Sequence, residues 1–194
     1  MKKINVIISI FILNLSTSSF LAGPVSAQSS ADWHMAGANQ ERTSWVSEEV
    51  RGNLNIEWHQ AIEPYIPYKI QPVFYNNTAF ISTSKGLYAL DLTDTGVVNN
   101  SRLKWIYSTE LPLGHSPTIA TVNGRAVAYV GGMDKKIHAI DISNGQALAG
   151  YTPFVAGAGF ETNPLVINDS HTGNVPTIIA GSRDGKLYAL NAIT

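Results

Sequence analysis

Apolar residues in this chain come in short bursts separated by polar turns, and the bursts repeat. Leu87-Tyr88-Ala89-Leu90-Asp91 recurs as Ile137-His138-Ala139-Ile140-Asp141, and again as Leu187-Tyr188-Ala189-Leu190-Asn191, with the three alanines 50 residues apart. Ahead of each block stands a polar turn: Ser84-Lys85-Gly86, Met133-Asp134-Lys135-Lys136 and Arg183-Asp184-Gly185-Lys186. Ahead of each turn runs an apolar strand: Ala79-Phe80-Ile81, Val127-Ala128-Tyr129-Val130 and Thr177-Ile178-Ile179-Ala180. Ahead of that comes a strand carrying a proline: Gln71-Pro72-Val73-Phe74, Ser116-Pro117-Thr118-Ile119 and Asn163-Pro164-Leu165-Val166. After the first two blocks follow a turn, Asp94-Thr95-Gly96 or Ser143-Asn144-Gly145, and a strand bearing Trp105 or Tyr151. Trp58 holds the same place before the first full repeat. Strand, polar turn, strand is the hairpin signal.

Four short antiparallel strands per unit of this length predict a propeller blade. At a period of two, Leu87, Ala89 and Asp91 face one way, and Tyr88 and Leu90 the other. Both faces are mostly apolar, so each sheet needs a neighbour on either side. The small alanine lets sheets approach closely, and Trp58 and Trp105 are expected to wedge between blades. The fold class is therefore all-β, with β-propeller blades of four antiparallel strands, about three of them, in an incomplete ring. Closed propellers use four or more blades. The chain stops at Asn191-Ala192-Ile193-Thr194, after the third strand of a blade, and the Trp58 strand reads as the fourth strand of another. The expectation is the N-terminal part of a longer propeller, or a truncated product whose open blade edges self-associate.

The N-terminus reads as an export signal. Lys2 and Lys3 precede an apolar core from Val6 to Leu13, and Pro24-Val25-Ser26-Ala27 offers a small-residue cleavage site. Residues 1–27 are read as a cleaved secretory signal, 28–53 as a lead-in that crosses the ring, and 54–194 as the repeats. The apolar run is too short to span a bilayer, and no cysteine follows the cleavage point to take a lipid. The mature chain is expected outside the cytoplasm, periplasmic or extracellular, with no membrane insertion.

Composition narrows the chemistry. Of 194 residues 44% are hydrophobic and only 14% charged, which excludes a solvated disordered chain. The formal charge is −1, and loss of Lys2 and Lys3 makes it more acidic. No Lys/Arg cluster offers a face for phosphates, so nucleic acid is not expected as a partner. The absence of cysteine removes disulfides and thiolate metal sites. The five histidines show no metal-ligand spacing. Asn168-Asp169-Ser170-His171-Thr172-Gly173 opens like a calcium loop, but its twelfth position is Ile179 rather than an acid. Asp91 and Asp141 suit turn formers, His138 suits packing, and Asn76-Asn77-Thr78 is a sequon on a turn.

The units resemble the PQQ-binding-like (quinoprotein-type) β-propeller repeat. Gly181-Ser182-Arg183-Asp184-Gly185-Lys186-Leu187-Tyr188-Ala189-Leu190 carries its Gly-Ser-x-Asp-Gly and Leu-Tyr-Ala-Leu signature. Residues Gly132 to Asp141 are a looser copy, with Lys135 where glycine is usual, and Ser84 to Asp91 a copy one turn residue shorter. The resemblance covers roughly residues 54–194. It implies the fold; it does not fix a function, since such repeats occur in quinone-dependent alcohol dehydrogenases, in an outer-membrane assembly lipoprotein and in many other exported proteins. A dehydrogenase of this kind uses a catalytic Asp, calcium ligands and often a vicinal disulfide, and this chain has no cysteine. No catalytic and no metal residues are assigned, and no cofactor is expected. PQQ with calcium belongs only to the second reading, a dehydrogenase fragment.

One set of residues invites a ligand. In a propeller the first strand of each blade lines the central channel, and the residues leading into the three prolines are Lys69-Ile70-Gln71, Gly114-His115-Ser116 and Glu161-Thr162-Asn163. Polar side chains there suit a water-filled funnel or the mouth of a binding site. If a ligand binds, Lys69, Gln71, His115, Ser116, Glu161 and Asn163 are the expected contacts. The leading reading is an exported, non-catalytic scaffold that binds a protein partner or small ligand in the cell envelope. A third reading is an envelope assembly factor that captures chains by strand addition.

Overall fold

The structure is a computed structural model and describes residues 32–45, 56, 58–62, 64–93, 102–169 and 173–194. The expected signal segment at 1–27, the turn at 94–96 and residues 170–172, His171 included, lie outside the described residues. Eleven strands and no helix are assigned among those described, and they form three antiparallel sheets in chain order. Blade 1 contains β1 (Val73–Tyr75), β2 (Thr78–Thr83), β3 (Gly86–Asp91) and β4 (Leu103–Ser108). Blade 2 contains β5 (Thr118–Val122), β6 (Arg125–Gly131), β7 (Ile137–Asp141) and β8 (Gln146–Ala147). Blade 3 contains β9 (Leu165–Asp169), β10 (Val175–Gly181) and β11 (Leu187–Asn191).

The turns explain the registers. Asn76 and Asn77 both adopt positive φ, as do Asn123 and Gly124, so β1–β2 and β5–β6 close on two-residue turns whose twist matches the strands. The Asp or Asn that follows each alanine block folds the chain out of its strand. Asp91 Oδ1 accepts from Thr93 N at 2.9 Å, Asp141 Oδ1 from Ser143 N at 2.9 Å, and Asn191 Oδ1 from Ile193 N at 2.7 Å. Hydrogen bonds favour the ionised carboxyl and hold both acids below the usual carboxylate range, through the Thr93 N–H at Asp91 and, at Asp141, the Ser143 hydroxyl at 2.6 Å together with its N–H.

Blades join through the same pair of faces twice. In the cross-strand register Phe80 sits opposite Ala89, Tyr129 opposite Ala139 and Ile179 opposite Ala189. Call the face that carries these alanines A and the opposite face B. Face A of blade 1, with Val73, Phe80, Leu87 and Ala89, packs on face B of blade 2, with Ile119, Ala128, Val130 and Ile140. Face A of blade 2, with Tyr129, Ile137 and Ala139, packs on face B of blade 3, with Val166, Ile178 and Ala180. Trp105 joins the first of these contacts. Its ring lies 5.7 Å from that of Phe80, and its Nε1 donates to Ile142 O of blade 2 at 3.1 Å. Gly145, at φ +72°, lies directly under the indole, where a Cβ would meet the ring. In the second contact the buried Tyr129 hydroxyl donates to Ala192 O at 2.7 Å.

Two expected strands differ. Trp58 belongs to no strand; it lies under the Arg102 guanidinium, 4.6 Å from ring centroid to cation, and Arg102 N donates to Gln60 Oε1 at 3.1 Å. The segment is thus fastened to the foot of β4. Tyr151 lies beyond β8, which is only two residues long. Gly150 turns the chain at φ +86°, Tyr151 N donates back to Leu148 O at 3.2 Å, and Pro153 brings no N–H, so the ladder ends early. The Tyr151 ring still reaches the blade interface, edge-on to Tyr129 at 6.3 Å.

Candidate functional site

Each inner strand begins at its proline. The residue before a proline is driven to extended backbone, and proline itself cannot donate to a ladder, so Pro72, Pro117 and Pro164 stand immediately before β1, β5 and β9. The pre-proline residues then connect the blades. Gln71 N donates to Ser116 Oγ at 2.7 Å, and Ser116 N donates to Asn163 Oδ1 at 2.9 Å. Thr118 Oγ1 reaches Pro164 O at 2.5 Å. The backbone N–H groups of Gln71 and Ser116, freed at the starts of β1 and β5, are therefore each satisfied by a side chain of the next blade.

The inner edges themselves are covered by the crossing segment at 32–45. Trp33 and Phe74 exchange both backbone hydrogen bonds, at 2.9 and 2.7 Å. Ile119 N donates to His34 O at 2.7 Å, and Gln40 Nε2 to Val166 O at 2.9 Å. One segment thus touches β1, β5 and β9 in turn. Its own Met35, Ala36 and Ala38 are buried. Arg42 closes the crossing by donating to Ala36 O and Asn163 O, each at 3.2 Å.

The six expected contact residues divide accordingly. Ser116 is fully buried, and both it and Asn163 hold blades together. Gln71 is exposed and contributes its backbone to that chain. Lys69, His115 and Glu161 gather at the mouth. His115 is 9% exposed, and burial pushes its pKa below the usual histidine range, with Glu161 pulling it up and Lys69 pushing it further down. Glu161 accepts Arg183 Nε at 3.0 Å. Lys69 Nζ lies 5.7 Å from the ring of Tyr68, which is 86% exposed. Arg42 and Arg183 are members of this mouth that the sequence reading missed. Arg183 occupies the variable place of the Gly-Ser-x-Asp-Gly turn, where no repeat rule points to it.

No protein-family model matches the chain, and no curated protein matches it. Among solved structures it is similar to BamB from Moraxella catarrhalis, at 18% identity over 63% of this chain and 45% of that chain, with a TM-score of 0.39. The chain therefore spans less than half the length of that structure.

A second polar constellation lies between blades 1 and 2. The Tyr107 hydroxyl meets His138 Nδ1 at 3.1 Å, and His138 Nε2 meets Asp134 Oδ2 at 3.1 Å. Burial and the nearby Asp134 charge raise the Tyr107 pKa. Blade 3 makes the corresponding bond with the residue usual in the repeat, Tyr188 hydroxyl to Asp184 Oδ2 at 2.6 Å. His138 thus keeps the ring-to-turn hydrogen bond and adds a link to the preceding blade. Among the described residues no three His, Asp or Glu side chains form a metal-holding group. At the other end of β5 a cavity of about 290 Å³ opens between blades 2 and 3, lined by Val122, Arg125, Leu148 and Ile193 among others.

Proposed function

We propose that this chain is an exported, non-catalytic propeller scaffold of the PQQ-binding-like kind, which binds a protein partner in the cell envelope through the mouth of its inner strands. The observation that carries the reading is the division among the strand-entry residues. Ser116 and Asn163 are committed to joining blades, whereas Lys69, Glu161 and Arg183 remain at the surface beside the exposed Tyr68, around the buried ring of His115. Two cations, an aromatic ring and a single acid suit a partner segment that presents acidic side chains next to an apolar one. The signal pattern supports export, and the repeat supports a scaffold role.

Isotope-edited NMR of the His115 ring tests the reading, using a short peptide of glutamates around one phenylalanine as the probe. The His115 resonances should shift on titration, and Lys69→Glu should weaken binding about tenfold. An unmoved His115 at millimolar peptide would sink the proposal.

A further inference from the structure

Residues 37–44 of the crossing segment close on themselves in a conformation that their side chains resist. Ser44 N donates to Gly37 O and Arg42 N to Asn39 O, each at 3.0 Å. The Asn39 side chain accepts Thr43 N at 3.0 Å and donates to Thr43 Oγ1 at 2.7 Å. Ala38, Arg42 and Ser44 stand at positive φ, of 72°, 53° and 54°. Left-handed backbone crowds the Cβ of every residue but glycine, and Asn tolerates it better than most. Among the described residues, the other non-glycine positions with positive φ are four asparagines and Lys135, each in a turn between strands. This short loop carries three, and none of them is Asn. Such strain persists only where surrounding contacts hold it in place.

Two contacts hold it. At one end Met35, Ala36 and Ala38 are buried. At the other the exposed Arg42 donates Nη1 to Ala36 O and Nη2 to Asn163 O, each at 3.2 Å. Asn163 stands at the entry to β9, two residues after Glu161, and its side chain accepts Ser116 N. One guanidinium thus ties the strained loop to the rim of the mouth. Both of its acceptors are neutral carbonyls, and among the described residues it pairs with no carboxylate. A carboxylate is the stronger partner, because it is charged and takes two N–H groups of the fork at once. We propose that Arg42 is the latch of this loop, and that an acidic side chain of a partner at the mouth draws the guanidinium off its two carbonyls and lets the loop open. The inference rests on the reading of the mouth as a site for an acidic segment. It adds to Lys69 and Arg183 a third cation, and to the site a moving part. Relief of the backbone strain offsets some of the cost of breaking the two hydrogen bonds.

Amide hydrogen exchange on the full chain tests it, with the glutamate and phenylalanine peptide as the probe and the His115 ring resonances recorded on the same samples. Arg42→Ala should speed exchange at Ala38 and Ser44 about tenfold, and leave Trp33, whose N–H is held by Phe74 O, at the wild-type rate. Saturating peptide should shift His115 and speed Ala38 and Ser44 in the wild-type chain to a similar extent. In Arg42→Ala it should add nothing to those two rates. A peptide that moves His115 while the loop amides keep their rates would overturn the latch and leave the reading of the mouth intact. An unmoved His115 at saturating peptide would remove both. Wild-type exchange at Ala38 and Ser44 in Arg42→Ala would overturn the latch whatever the peptide does.

Discussion

Lys135 and His115 both occupy positions whose environment suits another residue, for different reasons. Lys135 sits at φ 71° in the turn between β6 and β7, the place that Gly185 fills at φ 79° in blade 3. A side chain in that region crowds its own backbone by about 1–2 kcal/mol, and the Lys135 side chain is exposed. Lys135→Gly should therefore raise stability by about 1 kcal/mol in urea unfolding, reduced by the extra freedom glycine gives the unfolded chain. His115 is buried in its neutral form. Because its folded pKa lies below the unfolded value, the unfolded chain takes up the proton first. The resulting stability is full above the unfolded pKa near 6.5 and is lost as pH falls through the folded pKa. The melting temperature should drop between neutral and mildly acidic pH, and His115→Gln should flatten that part of the profile. An unchanged slope in the variant would place the acid sensitivity elsewhere.

Strands here are stabilised less by their own ladders than by what fits between sheets, and β4 shows this most directly. Trp105 and Ile106 are adjacent and point to opposite faces. The indole reaches blade 2 through its Nε1–H and rests over Gly145, whereas Ile106 is 38% exposed. Trp105→Ala should cost about 3 kcal/mol, and Ile106→Ala well under half of that, in equilibrium unfolding. Equal losses would mean that β4 packs by general hydrophobicity and not through the blade contact. The wedge role of Trp105 was legible in the sequence because the repeat gives its position and the alternation its face. Trp58 shows where that reasoning stops. It matched the repeat in type and spacing, yet the spacing of a single tryptophan does not supply a partner strand, and Arg102 claims the ring instead. The candidate site was legible by halves for a similar reason. Proline punctuation located all six residues, but a sequence does not show that the Ser116 hydroxyl faces the Gln71 amide while Lys69 faces water. The segment at 32–45 meets β1 and β5 through its backbone, which leaves no sequence signature, and β9 through the Gln40 side chain, to which no repeat rule points.

A stack of blades has the energetics of a repeat array, in which each unit is stabilised by itself and by its nearest neighbours. Blade 2 is packed on both faces, and β6 is its most enclosed strand, with Val127, Ala128, Tyr129 and Val130 all at 0% exposure. Among the described residues, blade 3 joins an apolar cluster through face B alone. Its β11 is hydrogen-bonded to β10 and, among the described strands, to no other, and its burial alternates between exposed and half-buried along the whole length. Local opening of β11 therefore breaks one ladder and uncovers little apolar surface, whereas opening β6 disrupts both apolar clusters together. Amide hydrogen exchange should resolve this as a gradient, with β6 slowest, opening near the global unfolding free energy, and β11 exchanging faster by more than tenfold. Uniform protection from β6 to β11 would mean that the three blades unfold as one cooperative unit, with the contacts around Tyr129 and Ala192 coupling blade 3 to blade 2 as firmly as blade 2 is held to blade 1.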